Sequence, residues 1–217
     1  MVTTPGHLCE TQPSRSATSE RRTVAAAVME GDSPMQLVAV RRALSQDSTT
    51  RRLLSIEGIR QASLVAGALA EQFPRASRLL TSPSIRAVQT ATVIGERLGL
   101  APEEFDAIDE VVPPPEVERE EYLRAAYPRC IAAFRQIVNE HDGVVIAVTH
   151  RRVLSAYLAL FWGFENPRDA WVKAIARRTG WELDVPPASI TVIDVNGEGR
   201  PTLRRVGDVS HLETSLC

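Results

Sequence analysis

Apolar residues along this chain repeat with two different rhythms, and the alternation between them outlines the fold. Leu37-Val38-Ala39-Val40 is a short unbroken apolar run, which predicts a buried strand. From Leu54 to Phe73 the period lengthens. Ile59, Ala62, Ala66, Leu69 and Phe73 recur every three or four residues, which predicts a helix stopped by Pro74. Arg78 to Thr81 reads as a second strand. A helix over 85–98 follows, with Ala87, Ala91, Ile94 and Leu98 on one face, Gly99 as its C-cap and Pro102 beyond. Residues 101–116 read as loop, with Pro113-Pro114-Pro115 excluding regular structure. Two helical pieces split at Pro128 come next, the second with Ile131, Phe134, Ile137 and Val138 on its apolar face.

Gly143-Val144-Val145-Ile146-Ala147-Val148 is the strongest strand signal, a run that suits a central strand covered on both faces. Val153, Leu154, Tyr157 and Leu160 open another helix, and Trp171, Ile175 and Trp181 suggest a short helix or lid. Ser189 to Val195 reads as a strand, turned by Asn196-Gly197 into a last strand near Thr202 to Val206. Strands alternating with helices predict a three-layer α/β/α sandwich around a mostly parallel sheet. No internal repeat is present. Residues 1–34 stand apart: Thr, Ser and Pro with scattered charge, and one short apolar patch from Val24 to Val28. They are expected to form a flexible tail, with one domain over 35–217.

Composition narrows the function classes. The 217 residues are 44% hydrophobic with a formal net charge of -2. That balance provides no basic field for nucleic acid or anionic lipid, and no apolar run is long enough to span a bilayer. Cys9, Cys130 and Cys217 form neither a disulfide framework nor a metal-ligand pattern. Reduced thiols in a cytoplasmic protein without a secretory signal, metal or cofactor are expected.

The chemistry collects at the predicted strand ends. Val40-Arg41-Arg42-Ala43 closes the first strand, Thr81-Ser82-Pro83 the second, and Val148-Thr149-His150-Arg151-Arg152 the strongest. Ligands of open α/β sheets bind beyond the carboxyl ends of strands, so Arg41, Arg42, Arg86, His150 and Arg151 are candidates for one site. A guanidinium fork matches phosphate oxygens, and helix N-termini add N–H donors, so a phosphorylated or otherwise anionic small molecule is the expected ligand. Each residue also has an ordinary explanation. Two arginines after a strand can simply be solvated, Arg86 can form a helix-surface ion pair, and a histidine after a strand is commonly structural. His211 is expected to be structural, and Trp162, Trp171 and Trp181 to serve core or lid packing. The Arg51-Arg52 pair is as easily a solvated loop pair as a substrate contact.

Six motifs in order resemble the histidine phosphatase (phosphoglycerate mutase-like) superfamily over roughly 36–212. Ser82-Pro83-Ser84-Ile85-Arg86-Ala87-Val88-Gln89-Thr90-Ala91 is similar to that family's Ser-Pro-x-x-Arg-Ala-x-Gln-Thr-Ala. Thr149-His150, Leu54-Ser55-Ile56-Glu57-Gly58-Ile59-Arg60-Gln61-Ala62, Ala188 to Val192 and Asp208 to Leu212 also match. The family's Arg-His-Gly, whose histidine accepts the phosphoryl group, reads Arg41-Arg42-Ala43, and its Thr-His-Gly-Gly reads Thr149-His150-Arg151-Arg152. The resemblance implies phosphate binding by Arg41, Arg42, Arg86 and His150. Glu110, in Ile108-Asp109-Glu110, stands at the place of the family's general acid. It also implies loss of the phosphohistidine, because a guanidinium offers only donors. Three functions stay open: a repurposed or inactive binder of a phosphorylated molecule, with His150 and Glu110 as base and acid of any surviving chemistry; an active phosphomonoesterase or mutase-type hydrolase using water or His150; and a non-catalytic interaction protein. Substrate and oligomeric state are not legible.

Overall fold

A computed structural model describes residues 35–46, 53–161, 165–177 and 185–213. The expected tail, Arg51-Arg52, Trp162 and Trp181 lie outside them. Six strands form one sheet: β1 (Met35–Arg41), β2 (Ala76–Thr81), β3 (Pro102–Glu104), β4 (Gly143–Thr149), β5 (Ile190–Val195) and β6 (Pro201–Asp208), in the order β3-β2-β4-β1-β5-β6. The first four are mutually parallel, β5 pairs antiparallel with β1, and β6 pairs antiparallel with β5. The helices are α1 (Ile56–Gln72), α2 (Ile85–Leu98), α3 (Arg119–Glu140), α4 (Arg151–Ala159), α5 (Pro167–Arg177) and a single turn, α6 (Ser210–Glu213).

Strand alternation divides the core into two layers. Leu37, Ala39, Val145, Ala147 and Ile193 face α3 and α4, while Val38, Val40, Ile146, Val148 and Val192 face α1 and α2. β4 lies between β1 and β2, and all five residues from Val145 to Thr149 are buried. This is the three-layer, mostly parallel sandwich, with β4 covered on both faces. Cys130 is buried in the α3 layer, where burial pushes its thiol up to about 11 and keeps it protonated.

Several local expectations are corrected. Pro128 does not split α3, which runs unbroken from Arg119 to Glu140. An internal proline costs about 3 kcal/mol, but Leu123, Tyr127, Ile131, Phe134 and Ile137 bury one continuous face that outweighs it. Ile59 is 53% exposed rather than core. The buried stripe of α1 runs through Gly58, Ala62, Val65 and Leu69 instead, and Gly58 sets its approach: a Cβ there would lie 1.9 Å from the Leu44 carbonyl oxygen. The segment 101–116 holds the short β3 and a 3-10 turn over Asp106–Ile108. Between β5 and β6 the left-handed residue is Gly199 rather than Gly197. Asn196 and Arg200 close a wider loop there, with the Asn196 N–H donating to the Arg200 carbonyl.

Candidate functional site

Strand register assembles the site. Arg41 pairs with Thr149, and Thr81 with Val148, so Arg42, Ser82 and His150 leave the sheet at one edge. The Arg42 N–H donates to the Thr149 carbonyl and the Ser82 N–H to the Val148 carbonyl, which ties the three exits together. α2 starts three residues after Ser82 and carries Arg86 in its first turn. α4 starts directly after His150. The motif residues between them hold the loops. Thr90 Oγ1 accepts from the Ala43 N–H at 3.1 Å, Gln89 Oε1 from the Leu54 N–H at 2.9 Å, and Gln61 Oε1 from the Leu44 N–H at 3.1 Å.

A cavity of about 300 Å³ opens at this edge, lined by Arg41, Arg42, Glu110, Val112, His150, Arg151 and Arg152. Arg41 donates to the Val185 carbonyl. Arg42 donates through Nη1 to the Ala43 carbonyl at 2.9 Å, and Arg152 donates to the Val111 carbonyl. Arg86 is only 2% exposed and pairs with the Glu110 carboxylate. Such a buried cation without a counter-charge would cost several kcal/mol. Glu110 thus serves as the anion facing Arg86, while its place in the cavity lining keeps it near any bound group.

His150 is equally buried. Its Nε2 lies 2.8 Å from Ser82 Oγ, whose hydroxyl donates to Asp109 Oδ1 at 2.7 Å. With its proton spent on Asp109, Ser82 accepts from His150, which places the ring proton on Nε2 and leaves the lone pair on Nδ1. The buried Nδ1 has no hydrogen-bond partner among the described residues. Burial first, then Arg86, Arg42, Arg41 and Arg129, push the imidazole down to about 3, so the ring is neutral at physiological pH. Asp109 and Ser82 were quoted within motifs, but their support of His150 was not legible. It depends on Ile108-Asp109 being carried over the sheet edge, where Thr149 Oγ1 donates to the Ile108 carbonyl at 2.7 Å and Arg129 donates to the Asp109 carbonyl at 3.0 Å.

The structure therefore brings Arg41, Arg42, His150 and Glu110 around one cavity, while Arg86 is not among its lining residues and pairs with Glu110. His211 sits elsewhere, with Nε2 3.0 Å from the Ala188 carbonyl. Ala188 has a φ of 57°, and its N–H donates to the Arg41 carbonyl, so His211 braces the loop that receives Arg41. Trp171 is buried, its indole donating to the Arg152 carbonyl and Ser155 Oγ. No group of three or more metal-ligating side chains occurs among the described residues. No described helix is long and apolar enough to cross a membrane.

The model of the histidine phosphatase superfamily (branch 1) matches residues 41–112 and 101–209. The chain belongs to the histidine phosphatase superfamily. Solved structures agree with this membership. Bacillus stearothermophilus YhfR is 21% identical with a TM-score of 0.66, covering 82% of this chain and 100% of that one. The alpha-ribazole phosphatase from Shigella flexneri is 18% identical with a TM-score of 0.63, covering 80% of this chain and 96% of that one. A mycobacterial glucosyl-3-phosphoglycerate phosphatase in complex with VO3 is 19% identical with a TM-score of 0.57, covering 80% and 99%. At these identities the likeness establishes the shared fold. No curated protein sequence matches this histidine phosphatase superfamily member.

Proposed function

We propose that this protein binds a phosphorylated or otherwise anionic small molecule through Arg41, Arg42, Arg86 and His150, without forming a phosphohistidine. The observation that carries this reading is the side chain at position 42, a guanidinium bonded to the Ala43 carbonyl at the cavity wall. Phosphoryl transfer needs an in-line lone pair, and a guanidinium has none to offer near neutral pH. It can hold phosphate oxygens, and binding no stronger in the transition state than in the ground state confers affinity without rate. The solved neighbours support an anionic ligand: their names describe phosphatases, and one was captured with VO3.

His150 is poorly placed to replace the missing nucleophile. Its Nε2 is committed to Ser82, and its Nδ1 is buried. A second reading keeps slow hydrolysis by water, because Glu110, a side chain of the type that takes a proton from attacking water, lines the same cavity.

The test is turnover of a generic phosphate ester by wild type, Arg42→Ala and His150→Ala, with acid-stable and acid-labile phosphoprotein measured alongside. Loss of a nucleophile costs about a million-fold, so wild-type turnover is expected far below the ordinary pace of about 10 per second. No phosphohistidine should form, and Arg42→Ala should weaken phosphate binding. Turnover near about 10 per second that survives Arg42→Ala but vanishes in His150→Ala would overturn the reading. Absence of any anion affinity would favour an interaction protein instead.

A further inference from the structure

Arg41 is held by the segment 185–189 through both its backbone and its side chain. Its N–H donates to the Ser189 carbonyl at 3.1 Å, its carbonyl accepts from the Ala188 N–H at 2.9 Å, and its guanidinium donates to the Val185 carbonyl. The Ser189 N–H closes the turn onto the Pro186 carbonyl at 3.1 Å. The direction in which Arg41 enters the cavity therefore depends on the shape of this turn.

The turn is strained where it meets Arg41. Ala188, with a φ of 57°, is the one non-glycine residue of positive φ among the described residues. A Cβ makes that region unfavourable, and such a conformation persists only where its surroundings hold it. Two contacts do so. The Ala188 methyl is buried in the layer facing α1 and α2, and Leu212 of α6 packs against that layer. His211, beside Leu212, places Nε2 3.0 Å from the Ala188 carbonyl. A carbonyl can only accept, so Nε2 carries a proton. The Nδ1 atom is buried without a hydrogen-bond partner among the described residues, so the ring is oriented by its bond to Ala188. Without that donor, Ala188 can leave the left-handed region. Its N–H would then turn away from the Arg41 carbonyl, and the Val185 carbonyl would shift with the turn.

Resting on the reading above, we propose that His211 is a positioning residue for the anion site: it holds Ala188 in its strained conformation and through it aims Arg41 at the bound anion.

The experiment is a phosphorus NMR titration of the full chain with methylphosphonate, which follows weak as well as tight binding, with denaturant unfolding of each variant alongside. His211→Phe keeps a ring of similar shape and deletes the donor. His211→Gln deletes the ring and keeps an N–H near the place of Nε2. Affinity should fall about fivefold to tenfold in His211→Phe, the scale of one loosened charge-assisted contact. It should stay within about twofold of wild type in His211→Gln, whose amide still donates. A packing role predicts the reverse order, and that outcome overturns the proposal. The loss should also travel through Arg41, so in an Arg41→Ala background His211→Phe should cost less than about twofold. An equal loss in both backgrounds overturns the proposal, because His211 then acts by another route. If Arg41→Ala binds too weakly to titrate, the contrast between the two His211 variants decides alone. If His211→Phe does not fold, His211→Asn, whose amide stops short of the Ala188 carbonyl, carries the same expectation. If wild type binds methylphosphonate and no His211 variant changes its affinity, the positioning role fails and the anion-binding reading survives. If wild type does not bind it, both fail.

Discussion

The floor and the rim of the cavity are built on different principles. The floor consists of Arg41, Arg42 and His150 at strand ends, with the Arg42 N–H bonded to the Thr149 carbonyl and the loop after Arg42 held at Ala43 and Leu54 by the motif residues Thr90 and Gln89. The rim consists of Glu110 and Val112 on one side and Arg151 and Arg152 on the other, joined by the Arg152 contact to the Val111 carbonyl. Sheet register fixes the floor, so its geometry follows from strand pairing. The rim is held by side chains reaching across loops, where one long arginine sets each distance. A change in floor support should therefore disturb folding and binding together, whereas a change in the rim should act first on affinity, with a cost in stability where, as at Glu110, it removes the counter-charge of a buried cation.

The strongest way to break this contrast is Gly58→Ala. The added Cβ would lie 1.9 Å from the Leu44 carbonyl oxygen, so α1 and the 42–46 segment must separate. The helix-propensity gain of about 1 kcal/mol is far too small to compensate. A loss of about 3 kcal/mol or more is expected in denaturant unfolding, with weakened phosphate binding in whatever folds. A fully stable Gly58→Ala with unchanged phosphate binding would show that the floor does not depend on this approach.

Next in size is the pH response of His150. Its folded value of about 3 lies below the ordinary value of about 6.5. Between those limits the unfolded chain binds more protons than the folded one, so stability falls as pH drops through that window. The slope is at most about 1.4 kcal/mol per pH unit. The guanidiniums of Arg86, Arg42, Arg41 and Arg129 and the carboxylate of Asp109 face the ring. The measurement is thus the difference between wild type and His150→Gln in denaturant unfolding from pH 7 to pH 4. The wild type should lose stability faster, and parallel curves would remove His150 from the account. Bound phosphate should flatten the difference, because it offsets the surrounding positive charge.

The smallest expected effect on binding tests the rim, at a cost in stability because buried Arg86 loses its counter-charge. Glu110→Gln removes the carboxylate that faces Arg86. Methylphosphonate should then bind roughly threefold to tenfold more tightly, about 0.7–1.4 kcal/mol, as the buried guanidinium takes the ligand as its counter-ion. Weaker binding in Glu110→Gln would mean that Glu110 supports the ligand instead of competing with it.

Much of the fold was legible because β4 and α2 carry simple signals. An unbroken apolar run reads as a doubly covered strand, and a 3.6-residue stripe ending at Gly99 reads as a capped helix. Pro128 and Ile59 misled because each was judged by its local preference. Packing of the whole α3 face outweighs one missing hydrogen bond, and the close approach at Gly58 rotates Ile59 outward. The floor residues of the site were legible from their place at strand ends. The Asp109–Ser82–His150 chain was not, since nothing in the spacing of 82, 109 and 150 says that one hydroxyl will bridge the other two.

By itself the sequence determined the layering, the β4-centred sheet, and the chemical fact that position 42 carries a guanidinium rather than an imidazole. Those follow from hydrophobic periodicity and side-chain pKa, which are properties of residues and their neighbours along the chain. Only the tertiary structure decided that Glu110 occupies Arg86, that His150 is buried and held neutral, and that Arg151 and Arg152 share a cavity with Arg41 and Arg42. These are matters of distance and desolvation between groups far apart in sequence. Electrostatic energy depends on both so steeply that no one-dimensional pattern encodes it.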